Sequence, residues 1–372
     1  MAADIPIVLD GSAGEGGGQI LRTALTLSAI TGKPFAVDRV RANRIKPGLR
    51  PQHREAVRAA ALLCDAECAG AEVGSSRVEF RPRRPVSPGE YRFDIGTAGS
   101  APLLFQTLCY PLALAGAASQ LTLRGGTHLL HAPSFHYLAL VWAPAAARLG
   151  FPVELGLHEA GFYPEGGGEI GAVVQPAHAM PPLDLPHRGT LLEAEVLSMV
   201  AGLGYELADR QATRAVRRLR DMGIAAQAER VPVPARRSRG SHVLVVASFE
   251  RIRTGHGSIG ERGKSPEAVA DEAVDAFGRF VEGRAAVDRH LGDQLLLPAA
   301  LSAAGLLSTP AGIVPATHYT VCQVTRHLTT NAEVVRRFLD VEVAVLGQED
   351  GEGAVRVQPR GASTEVLPLP NR

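Results

Sequence analysis

Residues 9–32, "LDGSAGEGGGQILRTALTLSAITG", place the end of an apolar strand, a glycine cluster carrying one carboxylate, and an amphipathic helix in direct succession. Upstream, "IPIVLDG" reads as a strand. From about Gln19 the spacing predicts a helix, with Ile20, Ala24 and Leu27 on one face beside Leu21 and Leu25. Gly32 and Pro34 stop it. The turn "GEGGGQ" is not a Walker loop, because no Lys-Ser/Thr pair follows. It also fails G-x-G-x-x-G, since Gln19 stands where the last glycine belongs. Two readings stay open for it. It can be a tight corner that packs helix on sheet. It can equally cradle an anion, because glycine lets backbone N–H groups approach phosphate and a helix N-terminus adds a favourable dipole. Glu15 would repel bare phosphate, but it suits a divalent cation bridging carboxylate and phosphate oxygens.

Lining up the glycine turns predicts a repeated unit. After the first helix come a strand in "PFAVDRVRA", a helix near 52–65 with Ala56, Val57, Ala60 and Leu63 inward, and a hairpin in "AEVGSSRVEFRP". The same order recurs as "YRFDIGTAGS", a buried kinked helix through Gln106 and Pro111, the strand "QLTLRGGT", and a helix after Pro133. A third unit is expected to open at "GFYPEGGGEIGAVVQP", to resume with a helix over 291–305, and to end with one at about 330–339. The fold class is therefore α/β (α+β), with three tandem repeats. The third is split by an inserted smaller α/β domain at 185–280, leaving 1–184 and 281–372 as the main, catalytic domain. Within the insert, "GTLLEAEVLSMVAGL" and "SHVLVVASFE" read as strands and "ELADRQATRAVRRLRDMG" as a helix. "ARRSRGS" and "RTGHGSIGERGKSPE" read as loops.

The net charge of +1 on 372 residues gives no global field for nucleic acid, so any basic surface must be local. One such stretch is "RVRANRIKPGLRPQHR", residues 39–54, with six cations and no acid. Its lack of aromatics points to phosphate contact and away from base stacking. The four cysteines have no CxxC spacing and read as reduced thiols of a cytoplasmic protein. The apolar run at 101–118 contains Gln106 and Pro111, and no membrane span is expected.

A reactive group is offered by "RHLTTN" (326–331). His327 is expected to precede a helix whose start is marked by Thr329, Thr330 and Asn331. A helix N-terminus favours the neutral, nucleophilic imidazole, although a histidine beside a cap can also be purely structural. K-x-D-G, H-E-x-x-H and G-x-S-x-G are all absent from the chain.

Taken together, "LDGSAGEGGGQILRTALTLSAITG", "RANRIKPGLRPQH", "IGTAGSA…Q", "GFYPEGGG", "DQLLLPAAL" and "HLTTN" resemble, in order, the motifs of the RNA 3'-terminal phosphate cyclases. The resemblance covers nearly the whole chain. It implies three repeats of βαβαββ type, each a four-stranded sheet with two helices. It also implies a reaction in which ATP adenylylates a histidine and AMP passes to an RNA 3'-phosphate. The adjacent 2'-hydroxyl then displaces AMP to leave a 2',3'-cyclic phosphate. On this resemblance His327 is the nucleophile and Glu15 the metal-associated carboxylate, with Mg²⁺ or Mn²⁺. Arg22, Arg41, Arg44 and Gln52 lie around triphosphate or RNA phosphate. Gln106, Pro133 and Phe135 would meet the nucleotide, together with His290, Leu291, Gly292, Asp293 and Gln294. His290 departs from the family pattern by standing where a tyrosine can stack on adenine, and its smaller ring would weaken that contact. RNA with a 3'-phosphate end is the implied partner, and a homodimer is compatible with the resemblance. Two alternatives are weighed: a catalytically inert RNA-binding relative acting in ribosome assembly, and a small-molecule transferase of the phosphoenolpyruvate-using kind. Neither needs a nucleophilic histidine.

Overall fold

Strand β1 (Ile7–Asp10) runs into the glycine turn, which releases the chain into helix α1 (Gln19–Thr31). Residues 5–179, 181–307 and 315–362 are described by the computed structural model. The first sheet is completed by β2 (Phe35–Asp38), β3 (Glu67–Ala69) and β4 (Val78–Arg81), in the order β1-β2-β4-β3, with α2 (Pro51–Cys64) before β3. Its first two strands are parallel and the other pairings antiparallel. Helix α1 packs on α2 in its own repeat.

The second sheet repeats this order with β5 (Glu90–Asp94), β6 (Ser119–Gly125), β7 (Val153–Glu159) and β8 (Gly168–Val174), arranged β5-β6-β8-β7. Its helices are α3 (Ala101–Ala113), which holds Pro111 internally, and a helical run of α4 (Phe135–Tyr137), a π-turn (Leu138–Trp142) and α5 (Ala143–Ala147). "GFYPEGGGEIGAVVQP" therefore closes the second repeat as its turn and β8; it does not open the third. Antiparallel pairing of β8 with both β6 and β7 decides this.

The third repeat opens at β9 (Asp184–Leu185). The chain then leaves it for a fourth sheet: β10 (Leu191–Ala201), α6 (Tyr205–Asp221), β11 (Ala226–Pro232), β12 (Gly240–Phe249), β13 (Arg253–Ile259) and α7 (Pro266–Glu282). It returns with α8 (Arg289–Gln294), α9 (Leu296–Ala303), β14 (Thr317–Val321), α10 (Arg326–Phe338), β15 (Val341–Gly347) and β16 (Gly353–Pro359). The third sheet, β15-β16-β14-β9, has the same 1-2-4-3 order as the first two, whereas the fourth, β11-β10-β12-β13, does not. The three repeats predicted from the glycine turns are thus present. In the fourth sheet, residues 253–259 of the expected loop form an edge strand paired with β12. Their small and polar residues lack the alternation that marks a strand.

One core runs through all three repeats, with α1 against α3 and α10. The fourth sheet has a second cluster of its own, in which Val243, Val245 and Ala247 of β12 meet Val269, Ala273, Val274 and Phe277 of α7. No helix among the described residues is long and apolar enough to cross a membrane.

Candidate active site

Helix α1 is the axis of the site because it touches the helices of both neighbouring repeats. Gly14, at φ +58°, approaches α10 so closely that a β-carbon would overlap the Thr330 hydroxyl. The turn is thereby pressed against the start of α10. Gly18 is equally constrained: a side chain there would overlap the imidazole of His53. Loop 39–50 docks on the same turn. Asn43 Nδ2 donates to the Ser12 carbonyl at 2.8 Å, and Arg39 pairs with Asp10.

Helix α10 starts earlier than its sequence implies. Thr325 is the N-cap, its Oγ1 accepting from Leu328 N–H at 3.1 Å, so His327 lies in the first turn and Thr329, Thr330 and Asn331 lie inside the helix. His327 Nε2 is 2.8 Å from Glu15 Oε2, and its side chain is 37% exposed. A carboxylate only accepts, so the imidazole donates through Nε2, and in the neutral ring the lone pair lies on Nδ1. Arg44 reaches the same Glu15 oxygen at 3.3 Å.

Behind this pair lies a polar network. Asp293, on α8, accepts from Gln19 Nε2 at 2.8 and 2.9 Å and from Asn331 Nδ2 at 3.0 Å, while Asn331 Oδ1 accepts from Thr23 Oγ1 at 2.8 Å. Burial raises the Asp293 pKa, opposed by His327, Asn331, Gln19 and Arg22. One carboxylate on α8 thus ties α1 to the helix that carries His327. Desolvation pushes Arg22 down to about 10, against the attraction of Asp293, and it stays cationic at neutral pH. Arg41 is also lowered, by burial and then by repulsion from Arg44 and Arg50. Cations crowded in this way favour an anion among them. His53, among the same arginines, is pushed down to about 3, by burial first and then by Arg22, Arg41 and Arg50, and is neutral.

These groups open on one cleft of about 1110 Å³, larger than a typical single-ligand site. Glu15, Arg22, Arg41, Arg44, Gln52, Gln106, Pro133, His290, Asp293, Gln294 and His327 all line it. Phe135, Leu291 and Gly292 do not. Phe135 and Leu291 are in the core, and the Gly292 carbonyl accepts from Tyr319 Oη at 2.7 Å beneath the site. Gln52 also receives Ser100 N–H at 3.1 Å, linking the first turn of α2 to the glycine turn of the second repeat. Sequence reading missed Gln19 and His53 as parts of the site. In the sequence Gln19 stands out only by breaking a glycine pattern at the helix start, and nothing local marks His53. No group of three or more His, Cys, Asp or Glu suited to a metal occurs among the described residues. A hard cation at Glu15 would therefore draw most of its ligands from phosphate and water, the mode Mg²⁺ favours.

A single imidazole facing one carboxylate and a wall of arginines, at the meeting point of like α/β repeats, suits transfer of phosphate groups. Residues 13–345 match the family described as "RTC: RNA 3'-terminal phosphate cyclase". The RNA 3'-terminal phosphate cyclase of Methylococcus capsulatus is 44% identical over 356 residues, covering 94% of this chain and 95% of that one. Those of Koribacter versatilis and Ralstonia nicotianae are 40% and 41% identical, over 92% and 95% of this chain and 93% and 96% of theirs. Among solved structures, the enolpyruvyl transferase NikO from Streptomyces tendae is 10% identical at a TM-score of 0.25, covering 97% of this chain and 67% of that one, which carries no argument about fold. This chain belongs to the RNA 3'-terminal phosphate cyclase family and is an enzyme of that kind.

Proposed function

We propose that this protein converts an RNA 3'-phosphate to a 2',3'-cyclic phosphate with ATP, through a covalent His327–AMP and then an RNA-(3')pp(5')A intermediate. The contact of His327 with Glu15, at the mouth of a cleft walled by Arg22, Arg41 and Arg44, carries this reading. In the first step an imidazole nitrogen attacks the α-phosphorus. The N–P bond forms, the bond to the bridging oxygen breaks, and pyrophosphate leaves. Attack through Nε2 requires that nitrogen to give up its proton and its bond to Glu15; attack through Nδ1 leaves that bond in place. The arginines spread the charge that develops on the phosphoryl oxygens. Mg²⁺ or Mn²⁺ held by Glu15 would supply further charge neutralisation at the phosphates.

In the second step an oxygen of the RNA 3'-phosphate attacks the phosphorus of the adduct, and imidazole leaves. The 2'-hydroxyl then attacks the 3'-phosphorus, loses its proton and expels AMP. Closing a five-membered ring gains from proximity, and DNA lacks the hydroxyl to do it. Within this reading 1–184 with 281–372 is the catalytic domain and 185–280 an insert. On the same reading the enzyme works in the cytoplasm, in keeping with its four free cysteines.

The test is incubation with α-labelled ATP and Mg²⁺, followed by chromatography of a 3'-phosphorylated oligonucleotide. Wild-type protein is expected to carry acid-labile label and to yield the cyclic end. His327→Ala is expected to lower labelling by at least about 10³-fold. Equal labelling of the variant would remove His327 from the role.

A further inference from the structure

Asp288 is 2% exposed and projects its carboxylate into the seam where three parts of the molecule meet. Oδ1 accepts from the backbone N–H of His290 and Leu291 at 2.9 and 3.0 Å, capping α8, and from Tyr137 Oη at 2.8 Å. Oδ2 accepts from Gly255 N–H on β13 at 3.3 Å. Tyr137 belongs to the second repeat, α8 to the third and Gly255 to the fourth sheet. All four partners are neutral donors.

Capping alone does not call for this residue. Ser100, Ser134, Ser265 and Thr325 cap their helices here with hydroxyls, which carry no charge to bury. A hydroxyl accepts at two lone pairs, whereas a carboxylate offers about four acceptor sites. At Asp288 the extra capacity is used to hold Tyr137 and Gly255. Helix α8 then presents His290, Asp293 and Gln294 to the cleft, and Asp293 extends the chain of bonds to Gln19 and Asn331.

We propose that Asp288 is a positioning residue for nucleotide binding, a buried junction that fixes α8 against the second repeat and the fourth sheet so that His290, Asp293 and Gln294 meet the nucleotide in one geometry. The proposal rests on the nucleotide reading of the cleft given above. Side chains that recognise a ligand through hydrogen bonds lose affinity when their support loosens by about 1 Å.

The experiment is calorimetric titration of the full-length protein with α,β-methylene-ATP, which cannot transfer AMP, beside the kinetics of histidine labelling by ATP. Asp288→Ser keeps a capping oxygen but is too short for the junction; Tyr137→Phe deletes one junction bond and leaves the cap. We expect Kd to rise at least about tenfold in Asp288→Ser and about three- to tenfold in Tyr137→Phe. KM for ATP should rise in parallel, with labelling at saturating ATP within about threefold of wild type. Wild-type protein that fails to bind the analogue would overturn the nucleotide reading and this proposal with it. Wild-type binding matched by both folded variants would overturn the role of Asp288 alone, as would a fall in kcat with KM unchanged. If Asp288→Ser does not fold, Tyr137→Phe decides by the same criteria.

Discussion

His327 and Glu15 stand 312 positions apart in the chain and share one hydrogen bond. That bond constrains the imidazole and occupies the carboxylate that a cation would use. Replacing Glu15 by Gln keeps an acceptor oxygen but removes the charge. The expected outcome is adenylylation slowed about 10–100-fold at a fixed metal concentration, partly recovered at high metal. Rates measured across a Mg²⁺ titration check it, and an unchanged metal dependence would separate Glu15 from the cation. The arginines near this pair were legible from the acid-free run 39–54. Gln19, Asn331 and Thr23 were not, because a neutral side chain joining helices through hydrogen bonds leaves no pattern along the chain.

Helix α10 shows how a cap decides what a helix presents. With Thr325 as the cap, His327 falls in the first turn, beside the glycine turn, and Asn331 faces inward to Asp293. Sequence reading offered Thr329, Thr330 and Asn331 as the start of the helix; packing instead made Thr325 the cap, so the helix begins before all three. Thr325→Ala should destabilise the protein by about 1 kcal/mol, read as a shift in the urea midpoint at constant slope. The glycine turn is bound to this helix by contact. Gly14→Ala should push the turn away from Thr330, parting Glu15 from His327, and lower the labelling rate at least about tenfold. Adding Thr330→Ala should restore part of that loss; no recovery would mean that the strain of the positive φ dominates.

The molecule as a whole buries several neutral histidines. His53 and His242 are held at about 3 and His256 at about 4, mainly by desolvation. Each folded value lies below the ordinary value of 6.5, so unfolding takes up protons. Stability is unaffected by these groups above pH 6.5. It falls as pH drops from there towards each folded value, by up to about 1.4 kcal/mol per unit for each histidine. Urea midpoints measured from pH 7.5 to 5 should therefore decline below about pH 6.5. His242→Gln should flatten the slope, and a midpoint independent of pH across this range would contradict the burial of these rings. His242 lies on β12 and lines the cleft, so the fourth sheet forms part of its wall.

Sequence by itself determined the repeats, the strand–glycine–helix corners and the basic loop, and it singled out His327 as the candidate imidazole. Each of these is written in local spacing or local composition. It misplaced the boundary between the second and third repeats, because β8 differs from a first strand only in its pairing partners. It missed β13, whose glycine, serine and histidine residues acquire strand form only beside β12. Tertiary structure alone decided that Gln19, Asp293 and Asn331 form one network, that Phe135, Leu291 and Gly292 stand behind the cleft, and that Asp288 joins three units. Those facts depend on which residues meet across long stretches of chain, and contact at that range is set by the packing of whole elements.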